Sequence, residues 1–256
     1  MSCEWIGVPG GRFWMGGGPR DNENPRHEVW VSGFRLARTP VTREQYQEFL
    51  DATGHLAPPF WQEPAFARPG LPAVGPSWLD ALAFCAWAAA RVGEGVRLPS
   101  EAEWESAAKA GREVLYPWGD DPPEALPDYD RRWQAGPEPV DAYPSLHPLG
   151  FVGLGENVHE WCADWFAPDY YGCSPSHDPP GPPRGTRRAS RGGSWRHQIK
   201  VSRCAARSAI PPQLRYSDYG FRLAADAADP AALLPPGRGR APGSPASSGS
   251  RPAGTA

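Results

Sequence analysis

The side chains able to do chemistry in this 256-residue chain gather in two stretches. The first, residues 189–224, opens on Arg191-Gly192-Gly193-Ser194-Trp195-Arg196-His197 and passes through Ile199, Val201 and Arg203. It breaks at Pro211-Pro212 and closes on Tyr219-Gly220-Phe221-Arg222. His197 brings an imidazole that can serve as a general acid or base and can hold a metal. Arginines bring planar forks suited to anionic groups, and tryptophan and tyrosine are common on recognition surfaces. Ser194, Trp195 and His197 are therefore the candidate catalytic residues. Arg196, Arg203, Arg207, Tyr216, Tyr219 and Arg222 are the candidate substrate-binding residues, with Arg215 on the same surface. Arg207 and Arg222 also have a structural reading, as locks between loops through Asp218 or Asp164.

The second stretch is Asn157-Val158-His159-Glu160-Trp161-Cys162-Ala163-Asp164-Trp165. Its polar–aromatic alternation predicts a half-buried strand. Such a strand puts His159, Trp161, Ala163 and Trp165 on one face and Val158, Glu160, Cys162 and Asp164 on the other. By type, His159, Glu160, Cys162 and Asp164 are metal ligands, but their division between faces argues against a site built from all four. A pair of glutamates, Glu101 and Glu103, follows Ser100. Its place in a first helical turn reads as capping rather than acid–base chemistry.

Helices and strands must hold these residues in place. Residues 4–36 predict the first strands around a Pro9-Gly10-Gly11 turn, with His27 to Leu36 as one further strand. Thr42 with Gln45, Ser77 with Asp80 and Ser100 with Glu103 have capping-box spacing and predict three helix starts. The second helix should bury Leu79, Leu82, Ala83, Ala86, Trp87 and Ala90, with Cys85 a small buried residue. Residues 55–76 and 120–150 read as loops. The expected organisation is a domain over 1–228 and a disordered Pro/Gly/Ala/Ser-rich tail over 229–256.

Composition narrows the class further. Thirty-three prolines, 29 glycines and 12 tryptophans against 21% charged residues predict a loop-rich fold packed by aromatic rings. A net charge of −3 gives no reason to expect nucleic acid, and no apolar run is long enough for a membrane span. The N-terminus lacks the basic-then-apolar pattern of a secretory signal. The five cysteines, with no C-x-x-C pair, read as thiols in a reducing compartment, so the expected location is cytoplasmic.

Eight motifs then occur in order. They are Val8-Pro9-Gly10-Gly11 with Phe13, Met15 and Gly16; Pro40-Val41-Thr42 with Tyr46 and Phe49; Ser77-Trp78 with Asp80-Ala81; and Arg97-Leu98-Pro99-Ser100-Glu101-Ala102-Glu103-Trp104-Glu105. After these come Tyr116-Pro117-Trp118-Gly119, Glu156-Asn157-Val158-His159-Glu160-Trp161, Arg191-Gly192-Gly193-Ser194-Trp195 and Gly220-Phe221-Arg222. Over residues 5–226 the chain resembles the formylglycine-generating enzyme (sulfatase-modifying factor) family.

The resemblance implies a single α+β domain of the C-type-lectin-like kind. It also implies O2-dependent oxidation of a sulfatase cysteine, with copper(I) held by two thiolates just after the Gly-Gly-Ser segment. Here those positions fall on His197 and Ile199, and no cysteine lies between Trp195 and Arg203. The family's disulfide positions pair Cys204 with Ala108 and Cys85 with Leu223, so neither bridge can form. The family's calcium segment maps onto Asn157, Val158 and Glu160, with Gly153 and Glu156 replacing two of its residues. Iron-dependent relatives draw their histidines from an extra helical domain that this chain lacks. Two readings stay open. One is an oxidoreductase using copper or iron by substituted ligation on a peptide or small molecule. The other is a ligand- or protein-binding module using the 194–220 segment.

Overall fold

The structure, a computed structural model, describes residues 1–92, 95–120, 136–142 and 144–227. The expected tail over 229–256 lies outside them.

Each helix begins where the sequence caps it. Helix α1 (Arg43–Thr53) carries a full capping box between Thr42 and Gln45, and ends on Gly54 at φ 67°, a left-handed conformation glycine adopts without strain. In α2 (Trp78–Val92), Ser77 and Asp80 bond each other's backbone N–H. In α3 (Glu101–Lys109), Ser100 and Glu103 do the same. The buried face of α2 differs from expectation. Trp78, Ala81, Phe84, Cys85 and Ala88 point inward at helical spacing, while Leu79 and Leu82 are exposed. Aromatic packing sets that rotation. Phe84 stacks on Tyr46 at 5.6 Å between centroids and meets Phe221 edge-on at 5.4 Å.

The first strands are more broken than the alternation predicts. Strands β1 (Trp5–Val8) and β2 (Gly11–Met15) do not form a hairpin with each other. The stretch from His27 splits into β3 (His27–Val31) and β4 (Phe34–Ala37). β2 pairs with β3, and β1 pairs with β4, all antiparallel. The chains cross closely at Gly10, where a Cβ would lie 2.7 Å from the Gly33 nitrogen. The last strand, β9 (Ala224–Asp226), closes the β1-β4-β9 sheet.

A four-stranded sheet holds the region of interest. β5 (His159–Trp165) lies between β6 (Arg188–Arg191) and β8 (Tyr219–Gly220), and β7 (Arg207–Ile210) pairs with the far side of β6. β5 runs parallel to β8, with His159 opposite Tyr219. Contrary to the half-buried reading, β5 is covered on both faces, because α2 and the 219–223 segment pack one side and α3 the other. The architecture is α+β. No helix among the described residues is long and apolar enough to cross a membrane.

His147 illustrates the polar interior. Its Nε2 donates to the Ala108 carbonyl at 3.1 Å and its Nδ1 accepts from Leu149 N–H at 3.2 Å, which assigns the neutral tautomer. Burial, assisted by Arg112, lowers its pKa from 6.5 to about 4 against the Ala108 carbonyl. The unfolded chain takes up this proton near pH 6.5 and the folded chain only near 4. Stability from this group is therefore full above 6.5 and lost as pH falls through that window, by roughly 3 kcal/mol at about 1.4 kcal/mol per unit. His147→Gln, which keeps an N–H donor, should flatten the pH dependence of urea unfolding between pH 6.5 and 4. An unchanged slope would contradict the assignment.

Candidate functional site

An open cleft of about 820 Å³ is lined by Trp195, Arg196, His197, Ile210, Tyr216, Ser217, Asp218 and Tyr219. Its wall is built from three separate pieces of chain. β5 begins at His159, which is buried. The turn after β6 carries Ser194 and His197, and the residue before β8 is Asp218. Gly192, at φ 76°, and Gly193 let that turn cross the 155–157 backbone. A Cβ on Gly193 would sit 2.4 Å from the Ser202 hydroxyl and 2.8 Å from the Gly155 carbonyl. Gly193 N–H donates to Gly155 and Trp195 N–H to Asn157, fixing the crossing.

These pieces bring His159, His197 and Asp218 together, with one ligand atom from each lying within 4.8 Å of the others. His159 Nε2 and His197 Nδ1 are 2.9 Å apart. The Ser194 hydroxyl lies 3.1 Å from both His197 Nδ1 and Asp218 Oδ2, and His197 Nδ1 is 4.0 Å from Asp218 Oδ2. Burial lowers the His159 pKa to about 4, with Asp218 opposing and His197 reinforcing, so His159 is neutral at pH 7. Asp218 also lies 3.9 Å from the Arg196 guanidinium, a loose ion pair on the exposed rim.

Of the residues expected to act here, His197, Trp195, Arg196, Tyr216 and Tyr219 do line the cleft. Tyr219 turns its hydroxyl away from it, to Ser190 and Ser208. Ser194 is fully buried, so it holds His197 and Asp218 in place rather than attacking a substrate. The expected Ile199–Arg203 alternation is a single 3-10 turn over Ile199–Val201. Arg215 is tied to Asp80 at 2.8 Å.

Three candidate substrate-binding arginines are corrected. Arg203 forks onto Glu23 at 2.7 and 2.8 Å, Arg207 onto Glu101 at 2.7 and 2.8 Å, and Arg222 onto Glu160 at 2.7 Å through both nitrogens. All three are buried. Arg207 and Arg222 thus lock neighbouring loops through carboxylate and carbonyl bonds, with Glu101 and Glu160 in place of the Asp218 or Asp164 of the structural reading. Glu101 thus does more than sit in a first turn.

The calcium set is corrected for the same kind of reason. Both Glu160 oxygens accept from Arg222, and one also accepts from Trp104. Asn157 Oδ1 accepts from Glu138 N–H, its carbonyl accepts from Trp195 N–H, and Val158 is buried against Phe66 and Val74. A divalent cation at Glu160 would face a guanidinium at hydrogen-bond distance.

The copper(I)-dithiolate that the resemblance implies does not fit the residues present. No cysteine lines the cleft. Cys85, Cys162 and Cys204 are buried thiols, and burial pushes Cys85 and Cys204 up to about 12, away from the thiolate form. His159, set aside as a ligand in the sequence because it came with Glu160, Cys162 and Asp164, and Asp218, read there only as an arginine partner, complete the site. They meet His197 only through the parallel β5–β8 pairing, which nothing local in the sequence signals.

A sulfatase-modifying factor enzyme 1-like domain model matches residues 2–227. The formylglycine-generating enzyme of Streptomyces coelicolor is 35% identical over 87% of this chain and 89% of its own length. A serine/threonine-protein kinase pkn1 of Chlamydia caviae is 34% identical over 88% of this chain, which spans about two fifths of that relative (38%). Among solved structures, PvdO from Pseudomonas aeruginosa has the same fold, with TM-score 0.73 at 24% identity over 88% of this chain and 95% of that one.

The arginine assignments make a direct prediction. Glu160→Gln leaves Arg222 buried without its counter-charge and should cost about 3–5 kcal/mol in denaturant unfolding. Tyr216→Ala, on the exposed rim, should cost well under 1 kcal/mol. Equal costs for the two would refute a structural role for the Arg222 pair.

Proposed function

This chain belongs to the sulfatase-modifying factor enzyme 1-like domain family, and we propose that it is an oxidoreductase-type member acting on a peptide or small molecule in the 194–220 cleft without a cysteine pair. The observation that carries this reading is the convergence of His159, His197 and Asp218 on the wall of an open cleft. Ionisable side chains that converge on a cleft, rather than scatter over the surface, are where chemistry is commonly placed.

Each residue has a part in this reading. Trp195 and Tyr216 offer ring faces to the ligand, and Arg196 offers a charge at the rim. His197, half-exposed at 43%, is the imidazole placed to meet a substrate, while His159 behind it is buried. Ser194 orients His197 and Asp218 from below. O2 is the oxidant by analogy with the formylglycine-generating relatives.

A second reading, a binding module, is favoured by one finding. The pkn1 relative contains a segment like this chain as a minority of a longer protein, as an appended recognition domain would be.

Oxygen uptake separates the two. Purified chain is incubated with a cysteine-containing peptide and a thiol reductant. Peptide-dependent uptake that falls at least about tenfold in His197→Ala, corresponding to ~1.4 kcal/mol or more of lost barrier lowering, is the result expected of an oxidoreductase. Saturable peptide binding with no uptake above the buffer rate would reject that reading in favour of the binding module.

A further inference from the structure

We propose that His159, His197 and Asp218 bind one divalent transition-metal ion at the wall of this cleft, through His159 Nε2, His197 Nδ1 and an Asp218 carboxylate oxygen. The proposal rests on the same cleft as the oxidoreductase reading and deepens it by naming the cofactor class.

The donor set points to that class. Two imidazoles and one carboxylate are borderline ligands suited to iron(II), zinc(II) or nickel(II), whereas copper(I) prefers thiolates. Two histidines and one carboxylate also leave coordination positions open, and here those would face the cleft rather than the core.

The spacing agrees with the donors. Zinc-type metal–nitrogen bonds of ~2.0–2.1 Å place neighbouring ligands roughly 2.9–3.4 Å apart and opposite ones about 4.2 Å apart. His159 Nε2 and His197 Nδ1 are 2.9 Å apart, and His197 Nδ1 and Asp218 Oδ2 are 4.0 Å apart. All three ligand atoms lie within 4.8 Å of one another, and His197, the least buried of the three, can shift toward an ion.

Satisfaction of polar groups argues the same way. The alternative is a bare imidazole pair sharing one proton. That arrangement leaves His159 Nδ1 directed at the Gly192 backbone and its Nε2 turned to His197, in a residue only 4% exposed. It also leaves the Asp218 carboxylate, itself buried, with Ser194 as its close donor and Arg196 only at 3.9 Å. A cation at the centre would compensate that charge and fix the ring orientation of His159. Ser194, bonded to two of the three ligands, occupies the outer-shell place that commonly orients a metal site.

The test counts metal directly. Chelator-stripped full chain is dialysed to equilibrium against zinc(II), and separately, without oxygen, against iron(II). One equivalent should bind. Both His197→Ala and Asp218→Asn should weaken binding by more than the ~10–100-fold typical of losing an outer-shell partner. His177→Ala, a remote exposed histidine, should bind like the unaltered chain. Matching urea midpoints establish that each variant folds, and His197→Gln replaces His197→Ala if the latter does not. The proposal is overturned if neither ion binds stoichiometrically, if either ligand variant keeps full affinity, or if His177→Ala abolishes binding. No oxygen is consumed in this assay, so a chain that binds metal but shows no peptide-dependent uptake rejects only the oxidoreductase reading.

Discussion

The fold is organised by the buried fork between Arg222 and Glu160. Both side chains are fully buried, and the guanidinium also donates to the carbonyls of Ala37, Arg38 and Val152. Trp104 of α3 donates to the same carboxylate. One pair therefore joins the end of β4, the 152 loop, α3, β5 and the segment after β8. Bringing two charges out of water is costly, and only complete hydrogen bonding offsets it. The same device recurs close by. Arg191 pairs with Glu105, Arg207 with Glu101 and Arg203 with Glu23, so α3 is clasped to the sheet by charge as well as by Ala102, Trp104 and Ala108.

That constraint decides where the cleft residues go. Neighbouring strand residues face opposite ways. Once Glu160 is drawn to Arg222, His159 must face the other side of β5, where the parallel β8 delivers Asp218 and Tyr219. The glycines at 192 and 193 let the next turn press against the 155–157 backbone, and Ser194 and His197 arrive on the same side. Polar groups below are thus committed to structure, and polar groups above are left to meet a ligand. Exposure follows this split, with Arg222 at 0% and the His197 side chain at 43%.

Local chemistry was the legible part of the sequence. Thr42, Ser77 and Ser100 each cap a helix as their spacing requires, because a capping box is decided within four residues. The inward face of α2 was harder, since the rings of Tyr46 and Phe221, distant in sequence, select Phe84 over Leu82. β5 keeps its alternation but not its half-buried reading, because a strand covered on both faces hides its glutamate and aspartate in pairs and caps instead of exposing them. Arginines were the least legible of all. Arg203, Arg207 and Arg222 have the residue type of ligand-binding groups, and only the positions of Glu23, Glu101 and Glu160 reveal them as structural. His197 was visible as a candidate, but its companions depend on chain pairing across 38 residues for His159 and a turn for Asp218.

The account therefore separates the buried arginine–glutamate pairs, which hold the scaffold, from the histidine–histidine–aspartate cluster, which faces the cleft. The most direct measurement of that separation is an anomalous diffraction map from crystals of the full chain grown with one equivalent of zinc(II). The account predicts a single peak about 2.0–2.2 Å from His159 Nε2, His197 Nδ1 and an Asp218 oxygen, with Glu160 still forked to Arg222. A peak at Glu160, or a map with no peak and the two imidazoles still bonded to each other, would contradict it.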